Sequence, residues 1–274
     1  MKRNKTVLLS VPYIVWMVVF TLIPLGVVAY YAFTDPDTGA FTWSNIRELG
    51  TFLPVFGESV LYSVVSALIC LLLGYPVAYY IAHRSPMVQK LLYMLVMLPM
   101  CMSFLLRTLA WVGLLQDTGI INNTLDAIGI GRLKLIRTPG AVILGMVYNY
   151  LPYMILPLYA ILVKIDSRLI EAAEDLGCTP AQTFLKVTMP LSTPGIVSGM
   201  TMVFVPAVST FYISQKLGSP DTMLIGDVIE RMYKQGNNAN LGAALSLLLM
   251  ILVFVCTGIM NKLTGSDGED VVVV

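Results

Sequence analysis

The sequence predicts an all-α membrane protein with six transmembrane helices. Of its 274 residues, 57% are hydrophobic and only 12% are charged, so the chain has too little polar surface to cover a soluble globule of this size. The apolar residues fall into six stretches of about 20 residues, the length that a helix needs to cross a hydrocarbon core of roughly 30 Å. These stretches are continuous rather than alternating, which excludes the pattern of a transmembrane barrel.

The six spans are predicted in chain order from these apolar runs. Their bounds are residues 7–33, 60–82, 91–115, 141–163, 191–213 and 241–260. The first follows the basic start MKRNK and exceeds the 7–15 apolar residues of a signal peptide, so we expect it to stay as a membrane anchor. Spans two and three are joined by the short connection HRSPMVQK and should be antiparallel neighbours. Pro152 and Pro157 predict a bent fourth span, whereas spans five and six rest on apolar length alone.

The basic N-terminus predicts the topology, because positively charged flanks stay inside. Six spans return the C-terminus to the same side, so both termini are expected to be cytoplasmic. Segments 34–59, 116–140 and 214–240 then become external loops. Residues 1–265 are expected to form a single multi-pass transmembrane domain in contact with membrane lipid. The tail at 266–274 has no amphipathic period and is predicted to be disordered.

The composition argues against several classes of function. The four cysteines and the single His83 show no metal-ligand spacing, and the loops carry no catalytic signature, so we expect neither a metal site nor an enzyme. A formal net charge of +1 argues against a nucleic-acid partner. No carboxylate lies at mid-depth in a span, which counts against a proton- or sodium-coupled carrier. Arg107, toward the outer end of span three, is expected to snorkel or to pair with a carbonyl.

The passage EAAEDLGCTPAQTFLKVTMP, residues 171–190, is the longest polar interruption in the second half of the chain. It predicts a helix, a glycine turn and a second helix. Asp166 or Ser167 can cap the first helix, and Gly177 supplies the left-handed residue that ends it. The sequence Thr-Pro-Ala-Gln from Thr179 begins the second helix with a capping box, and Pro190 is expected to stop that helix.

The first helix of this passage has one apolar stripe and an acidic remainder. The stripe, at spacing i, i+3, i+4 and i+7, comprises Leu169, Ala172, Ala173 and Leu176. Glu171, Glu174 and Asp175 supply the acidic charge, whereas helices that lie on anionic lipid favour Lys and Arg. We therefore predict a rigid protrusion that docks a protein partner. An amphipathic pair lying on the inner membrane surface is the alternative.

The passage resembles the cytoplasmic EAA loop of ABC-importer permeases, whose pattern is Glu-Ala-Ala, three residues, Gly, nine residues, then Ile-x-Leu-Pro. The residues that match in register are Glu171, Ala172, Ala173, Gly177 and Pro190. Val187 and Met189 replace the aliphatic Ile and Leu. The segments LGYPVAYYIA, GAVILGMVYNYLPYMILPLY, MPLSTPGIVSGMTMVFVPAVSTFYIS and MLIGDVI also resemble the B-type permease of spermidine/putrescine importers.

This resemblance implies the fold of a type I ABC importer permease, which is MetI-like, in the inner membrane. Residues from about 165 to 190 would form a coupling helix and loop seated in a groove of a cytoplasmic ATPase. Glu171 is implied to make polar contact with that ATPase, and Gly177 to allow the turn. The chain lacks a G-x-x-x-x-G-K-[ST] loop, so ATP and Mg are implied to bind the partner and no cofactor is expected here.

The resemblance also implies a complex in which this chain forms half of the pathway. The implied partners are a second homologous permease, a pair of ATPase subunits and an extracytoplasmic polyamine-binding protein. The implied function is ATP-driven import of spermidine or putrescine. A permease for another small solute, such as ferric ion or an amino-acid derivative, is an open alternative, as is a carrier that works alone.

Aromatic and acidic side chains are the candidates for the solute pathway. An amine can rest on an aromatic face by cation–π attraction of about 0.5–2 kcal/mol. The aromatic candidates are Tyr148 and Tyr153, which flank Pro152, and Phe204 in span five. Acids expected at the outer mouth, where they would favour cations, are Glu58, Asp117 and Asp227.

Overall fold

The computed structural model describes residues 11–36, 38–234 and 238–263. Within these ranges the protein is mostly helical and forms no extended sheet; an isolated antiparallel bridge joins Thr34 and Phe41. The tail predicted to be disordered, residues 266–274, lies outside the described residues, and so does the start of the first predicted span.

Thirteen α-helices are numbered here in chain order over the described ranges. They are α1 Val11–Ala32, α2 Ser44–Glu48, α3 Leu53–Ala82, α4 Pro86–Met97, α5 Phe104–Leu115, α6 Ile120–Ala127, α7 Pro139–Leu162, α8 Ser167–Asp175, α9 Pro180–Leu191, α10 Thr193–Val208, α11 Tyr212–Leu217, α12 Ile225–Lys234 and α13 Ala239–Leu263. A π-helical turn, Phe184–Thr188, forms the middle of α9. Short 3₁₀ turns follow α2 and α4 and precede α12.

Five helical segments are long and apolar enough to cross a membrane, and the bent pair α9 and α10 makes a sixth. The five are Val11–Ala32, Ser44–Ala82, Phe104–Ala127, Pro139–Leu162 and Ala239–Met260. The prediction of an all-α protein with six spans is therefore confirmed when the bent pair is taken as one span. The external segments predicted as loops also contain helices, namely α2, α6 and α12.

The described residues divide into two compact units. The smaller unit comprises the described residues up to Pro54 together with those from Val228 to Leu252. In it, Ala32 at the end of α1 packs against Ala243 and Ala244 of α13. The buried Asn45 side chain donates to the carbonyl oxygens of Ala32 and Thr34, at 3.2 and 3.0 Å, and so ties the segment after α1 to the end of that helix.

The larger unit, Val55–Asp227 with the described residues from Val253, is built around α7. Buried side chains along α7 include Val142, Met146, Met154 and Leu158, so this helix has protein on most of its circumference. Its principal neighbour is α10. Gly199 of α10 permits their close approach, because a Cβ at that position would lie 2.6 Å from the sulfur of Met154.

The predicted third span, residues 91–115, is wrong as one continuous helix. α4 ends at Met97, a 3₁₀ turn covers Leu98–Cys101, and Met102 is extended before α5 begins. Pro99 explains the break, because it has no N–H to donate and its ring crowds the preceding turn. The segment that can cross a membrane here begins at Phe104 and runs through α6 to Ala127.

The predicted fifth span, residues 191–213, is also shorter and more bent than expected. α10 ends at Val208, and α11 follows as a separate helix. Pro190 does not stop α9 as predicted. It lies in the last helical turn, Met189–Leu191, which directly follows the π-helical turn Phe184–Thr188. The chain turns instead at Ser192, where α9 and α10 meet at 63°.

Candidate functional site

The candidate coupling site begins with the N-terminal cap of α8. Asp166 has an extended backbone, and its Oδ1 accepts a hydrogen bond of 3.0 Å from the N–H of Arg168. A carboxylate at this position also opposes the positive end of the helix dipole. The predicted capping residue is therefore confirmed as Asp166, and α8 begins at Ser167.

Gly177 ends α8 in the left-handed conformation that was predicted, with φ +84°. Two hydrogen bonds complete the turn: the N–H of Gly177 donates to Glu174 O at 2.8 Å, and the N–H of Cys178 donates to Ala173 O at 3.1 Å. This pattern is a Schellman motif, which pairs carbonyls that the end of a helix leaves free. The polypeptide therefore leaves α8 in a defined direction.

The second helix of the segment begins with the predicted capping box. Thr179 Oγ1 accepts from the N–H of Gln182 at 3.4 Å, and Gln182 Oε1 accepts from the N–H of Thr179 at 3.0 Å. Only Cys178 separates Gly177 from Thr179. Helix, turn and second cap thus form one continuous hydrogen-bonded unit.

α8 leaves acidic side chains uncovered on one side and apolar side chains uncovered on the other. Glu171, Glu174 and Asp175 are exposed. The predicted apolar stripe divides: Ala173 is buried against the protein, whereas Leu169 is 49% and Leu176 is 86% exposed. Both leucines are thus large apolar side chains that the described part of the chain leaves uncovered.

α9 connects this unit to the transmembrane core through aromatic contacts. The ring of Phe184 packs edge-on against Tyr75 and Tyr79 of α3, with centroids 5.5 and 5.6 Å apart. The hydroxyl of Tyr75 is 2.7 Å from Ser192 Oγ, at the bend between α9 and α10. Sequence reasoning missed these residues; the available signal was the pair of tyrosines four residues apart, on one face of α3.

The aromatic pathway candidates lie in different surroundings. Tyr148 and Tyr153 are 38% and 37% exposed on α7, and Tyr148 packs edge-on against Trp111 of α5 with centroids 5.4 Å apart. Five residues correspond to about 140° of rotation around a helix, so the two tyrosines face different directions. Phe204 is only 4% exposed and is enclosed by protein, so it is not accessible to a solute in this conformation.

The three acidic candidates do not form one negative mouth. Glu58 and Asp117 are exposed, as expected. Asp227 is 1% exposed, and its Oδ2 accepts a hydrogen bond of 3.0 Å from the N–H of Leu224. The expectation of an external acid at Asp227 is wrong, because this carboxylate satisfies backbone at the start of α12. Asp117 borders a cavity whose other charged side chains are basic.

Arg107 is buried rather than snorkelling to the interface. The residue is 7% exposed in α5, and its Nε and Nη1 atoms have no hydrogen-bond partner among the described residues. It lies within electrostatic range of Tyr150, whose hydroxyl donates to Pro206 O at 3.2 Å. A cation in the interior of the bundle repels a cationic solute, so this part of α5 is a poor candidate for a polyamine path.

The sequence is similar to those of known transport proteins. Residues 71–264 match the family model of the binding-protein-dependent transport system inner membrane component. The chain is 36% identical over 255 residues to the spermidine/putrescine transport system permease protein PotB of Haemophilus influenzae, covering 88% of each chain. It is 35% identical over 249 residues to PotB of Escherichia coli K12, covering 87% of this chain and 90% of that protein.

The fold is also similar to those of solved importers. A bacterial ABC transporter that imports the acidic polysaccharide alginate superposes with a TM-score of 0.76 at 20% identity over 98% of each chain. An inward-facing structure of the MetNI methionine ABC transporter superposes with a TM-score of 0.63 at 18% identity, covering 81% of this chain and 99% of that one. The chain therefore belongs to the family of inner-membrane permease components of binding-protein-dependent ABC transport systems.

Proposed function

We propose that this chain is a permease subunit of an ATP-driven importer of polyamines such as spermidine and putrescine, and that it forms half of the translocation pathway. The observation that carries the proposal is its identity of 35–36% to spermidine/putrescine permeases over nearly the whole length of both chains. Family membership makes the chain a transport component that works with a separate ATPase and a binding protein.

In this proposal α8 is the coupling helix, with Glu171, Ala172, Ala173, Gly177 and Pro190 in their family positions. The exposed Leu169 and Leu176 would enter a groove of the ATPase, and Glu171 would make a polar contact at its rim. ATP and Mg would be bound by that partner. The surface of this chain that docks on the ATPase would lie on the cytoplasmic side of the membrane, together with both termini.

The contacts of α9 support a route by which closure of the ATPase pair would move the spans. A displacement of α8 reaches α9 through the short turn at Gly177 and Thr179. Phe184 carries it to α3, and the Tyr75–Ser192 contact carries it to the bend before α10. α10 in turn packs tightly on α7, where Gly199 meets Met154. Packed helices move as bodies rather than deform, so the motion opens or closes a path between spans.

Tyr148 and Tyr153 remain the proposed aromatic contacts of the solute, because both are partly exposed on the central helix. Glu58 remains a proposed external acid. Asp117 is no longer proposed in the solute path, because it borders a cavity whose other charged side chains are basic. Phe204 and Asp227 are no longer proposed, because both are enclosed by protein.

Reconstitution tests the proposed function directly. Proteoliposomes containing this chain, its permease partner and the ATPase, with ATP on the cytoplasmic side and the binding protein outside, should accumulate radiolabelled spermidine. Excess putrescine should compete, whereas ferric ion and amino acids should not. Spermidine uptake that persists without the ATPase would contradict coupling, and uptake of ferric ion or an amino acid in place of polyamine would contradict the substrate class.

A further inference from the structure

A basic cavity lies at the end of α7 that is farthest from the coupling helix. Its volume is about 740 Å³. The polar side chains that line it are Gln116, Asp117, Arg132, Lys134, Arg137 and Lys216. Four of these six are cations and one is an acid. The cavity therefore has a positive potential and favours an anionic occupant.

The position of the cavity relative to α7 sets the side of the membrane on which it lies. Arg137 lies two residues before the start of α7, and the proposed coupling helix α8 follows the other end of α7 within a few residues. A helix of 24 residues is about 36 Å long, enough to cross the hydrocarbon core. Because α8 is proposed to dock on a cytoplasmic ATPase, the cavity opens on the extracytoplasmic side, from which the solute is delivered.

The rim of the cavity is fixed by specific hydrogen bonds. The fully buried Asn122 of α6 donates to Leu133 O and accepts from Leu133 N–H, both at 3.0 Å, so that Arg132 and Lys134 flank a tethered residue. Arg137 has φ +59°, the only non-glycine residue with positive φ in the described ranges, and its N–H donates to Leu217 O at 2.9 Å. A strained backbone held by tertiary contacts is typical of functional positions.

The cations of the cavity are only partly compensated by the chain itself. Arg132 lies 3.5 Å from Asp126 in an exposed ion pair, and the ammonium of Lys216 lies 5.8 Å from the ring centre of Tyr212. Lys134 and Arg137 form no ion pair with any residue that the structure describes, and both are exposed. These two side chains are therefore available to an anion that comes from outside the chain.

We propose that this cavity receives acidic side chains of the extracytoplasmic binding protein when that protein docks. The inference rests on the proposed polyamine function. The cavity carries four cations against one acid, and two of the cations are exposed without an ion pair in the described part of the chain, so acidic side chains of the docking protein would complement it. The polycation itself is repelled by Lys134 and Arg137, which excludes the cavity from the solute path.

Charge reversal in the cavity tests the proposal. The complete complex is reconstituted with the double variant Lys134→Glu, Arg137→Glu, and ATPase activity is titrated with the spermidine-loaded binding protein that stimulates the wild-type complex. The concentration for half-maximal stimulation should rise about tenfold or more, because like charges then face each other across the interface. In the wild type this concentration should also rise with added salt, since exposed charges are screened beyond about 8 Å at physiological ionic strength.

Two controls keep the result interpretable. Arg47→Glu, a reversal at an exposed cation outside the cavity, should change the half-maximal concentration less than about twofold, within the range of surface charge effects. Lys216→Glu reverses a cavity charge on α11 without altering the strained Arg137 and should reproduce part of the shift. Each variant complex is first required to elute from size exclusion as the wild-type complex does.

The possible outcomes separate this inference from the function on which it rests. If spermidine-loaded binding protein fails to stimulate even the wild-type complex, the polyamine function is wrong. If it stimulates wild type and the double variant at equal concentrations, the docking inference is wrong. If the shift occurs with phosphatidylglycerol in the vesicles and vanishes in purely zwitterionic vesicles, the cavity binds lipid phosphate instead, and the inference is overturned.

Discussion

At the scale of single residues, Glu171 makes the clearest prediction. Its carboxylate is exposed on α8, and the side chains of Leu169 and Leu176 on the same helix are also uncovered. Glu171→Lys should reduce spermidine uptake by about tenfold or more while the protein still inserts, because reversing a charge at a docking face costs several kcal/mol. Uptake and co-purification of the ATPase measure the effect. Glu48→Lys, at another exposed acid, is the matched control, and normal uptake by Glu171→Lys would contradict the coupling role.

Tyr75 makes a second prediction at this scale. Its hydroxyl lies 2.7 Å from Ser192 Oγ at the bend between α9 and α10. Tyr75→Phe keeps the ring contact with Phe184 but removes the hydrogen bond, and should destabilise the bend by about 0.5–1.5 kcal/mol. We expect a lower ratio of solute transported to ATP hydrolysed, with ATPase binding retained. Tyr80→Phe, at an exposed tyrosine of the same helix, is the control and should leave the ratio unchanged. Equal ratios in the two variants would contradict a role of Tyr75 in coupling.

At the scale of elements, the turn between α8 and α9 depends on Gly177. A side chain at φ +84° costs about 1–2 kcal/mol, so Gly177→Ala should redirect or loosen α8. The expected result is a several-fold weaker association of the ATPase with the solubilised permease pair. Gly57→Ala is the control, because Gly57 lies within α3 and a Cβ there meets nothing within 4 Å. Gly177→Asn should fall between glycine and alanine, because asparagine tolerates the left-handed region; equal binding by all three would refute the role of the turn.

The packing of α10 on α7 makes a further prediction for these elements. A methyl group at Gly199 would lie 2.6 Å from the Met154 sulfur and 3.2 Å from its carbonyl oxygen. Gly199→Ala should lower the thermal stability of the permease, because overpacking a core typically costs about 1–3 kcal/mol. A melting curve followed by tryptophan fluorescence measures the shift. Met154→Ala removes the sulfur contact but leaves a cavity at a fully buried site, so the double variant should be less destabilised than the sum of the two single variants. Full wild-type stability of Gly199→Ala alone would contradict the close approach.

At the scale of the whole molecule, we make one prediction about the energy source of transport. It rests on the absence of a carboxylate at mid-depth in the predicted spans and on the exposed side chains of α8. Transport by the complete complex should depend on ATP and should not depend on a proton or sodium gradient. Ionophores that collapse either gradient should therefore leave the initial rate of spermidine uptake in proteoliposomes unchanged. Omission of ATP should abolish it. A rate that follows the proton or sodium gradient would favour a secondary carrier.

Local sequence signals predicted the helix, turn and second cap of residues 166–182 because that structure is local. Asp166, Gly177 and the Thr179–Gln182 box each act over three or four residues, through hydrogen bonds that the sequence itself specifies. Apolar run length likewise predicted the number of spans, since crossing lipid requires a continuous apolar helix. By contrast, run length could not locate the break after Pro99 or the turn at Ser192, because an apolar run continues across both.

The sequence by itself therefore determined the helical class and the approximate spans. It also determined the Asp166 cap, the Gly177 turn and the Thr179–Gln182 capping box. Only the tertiary structure decided which polar groups are buried and which charges meet. Arg107, Phe204 and Asp227 all looked accessible in the sequence and are enclosed by neighbouring elements. The basic cavity joins α5, the segment before α7, and α11, which are far apart in the chain. Burial and electrostatic potential arise from such non-local contacts, and local hydrogen-bonding patterns do not encode them.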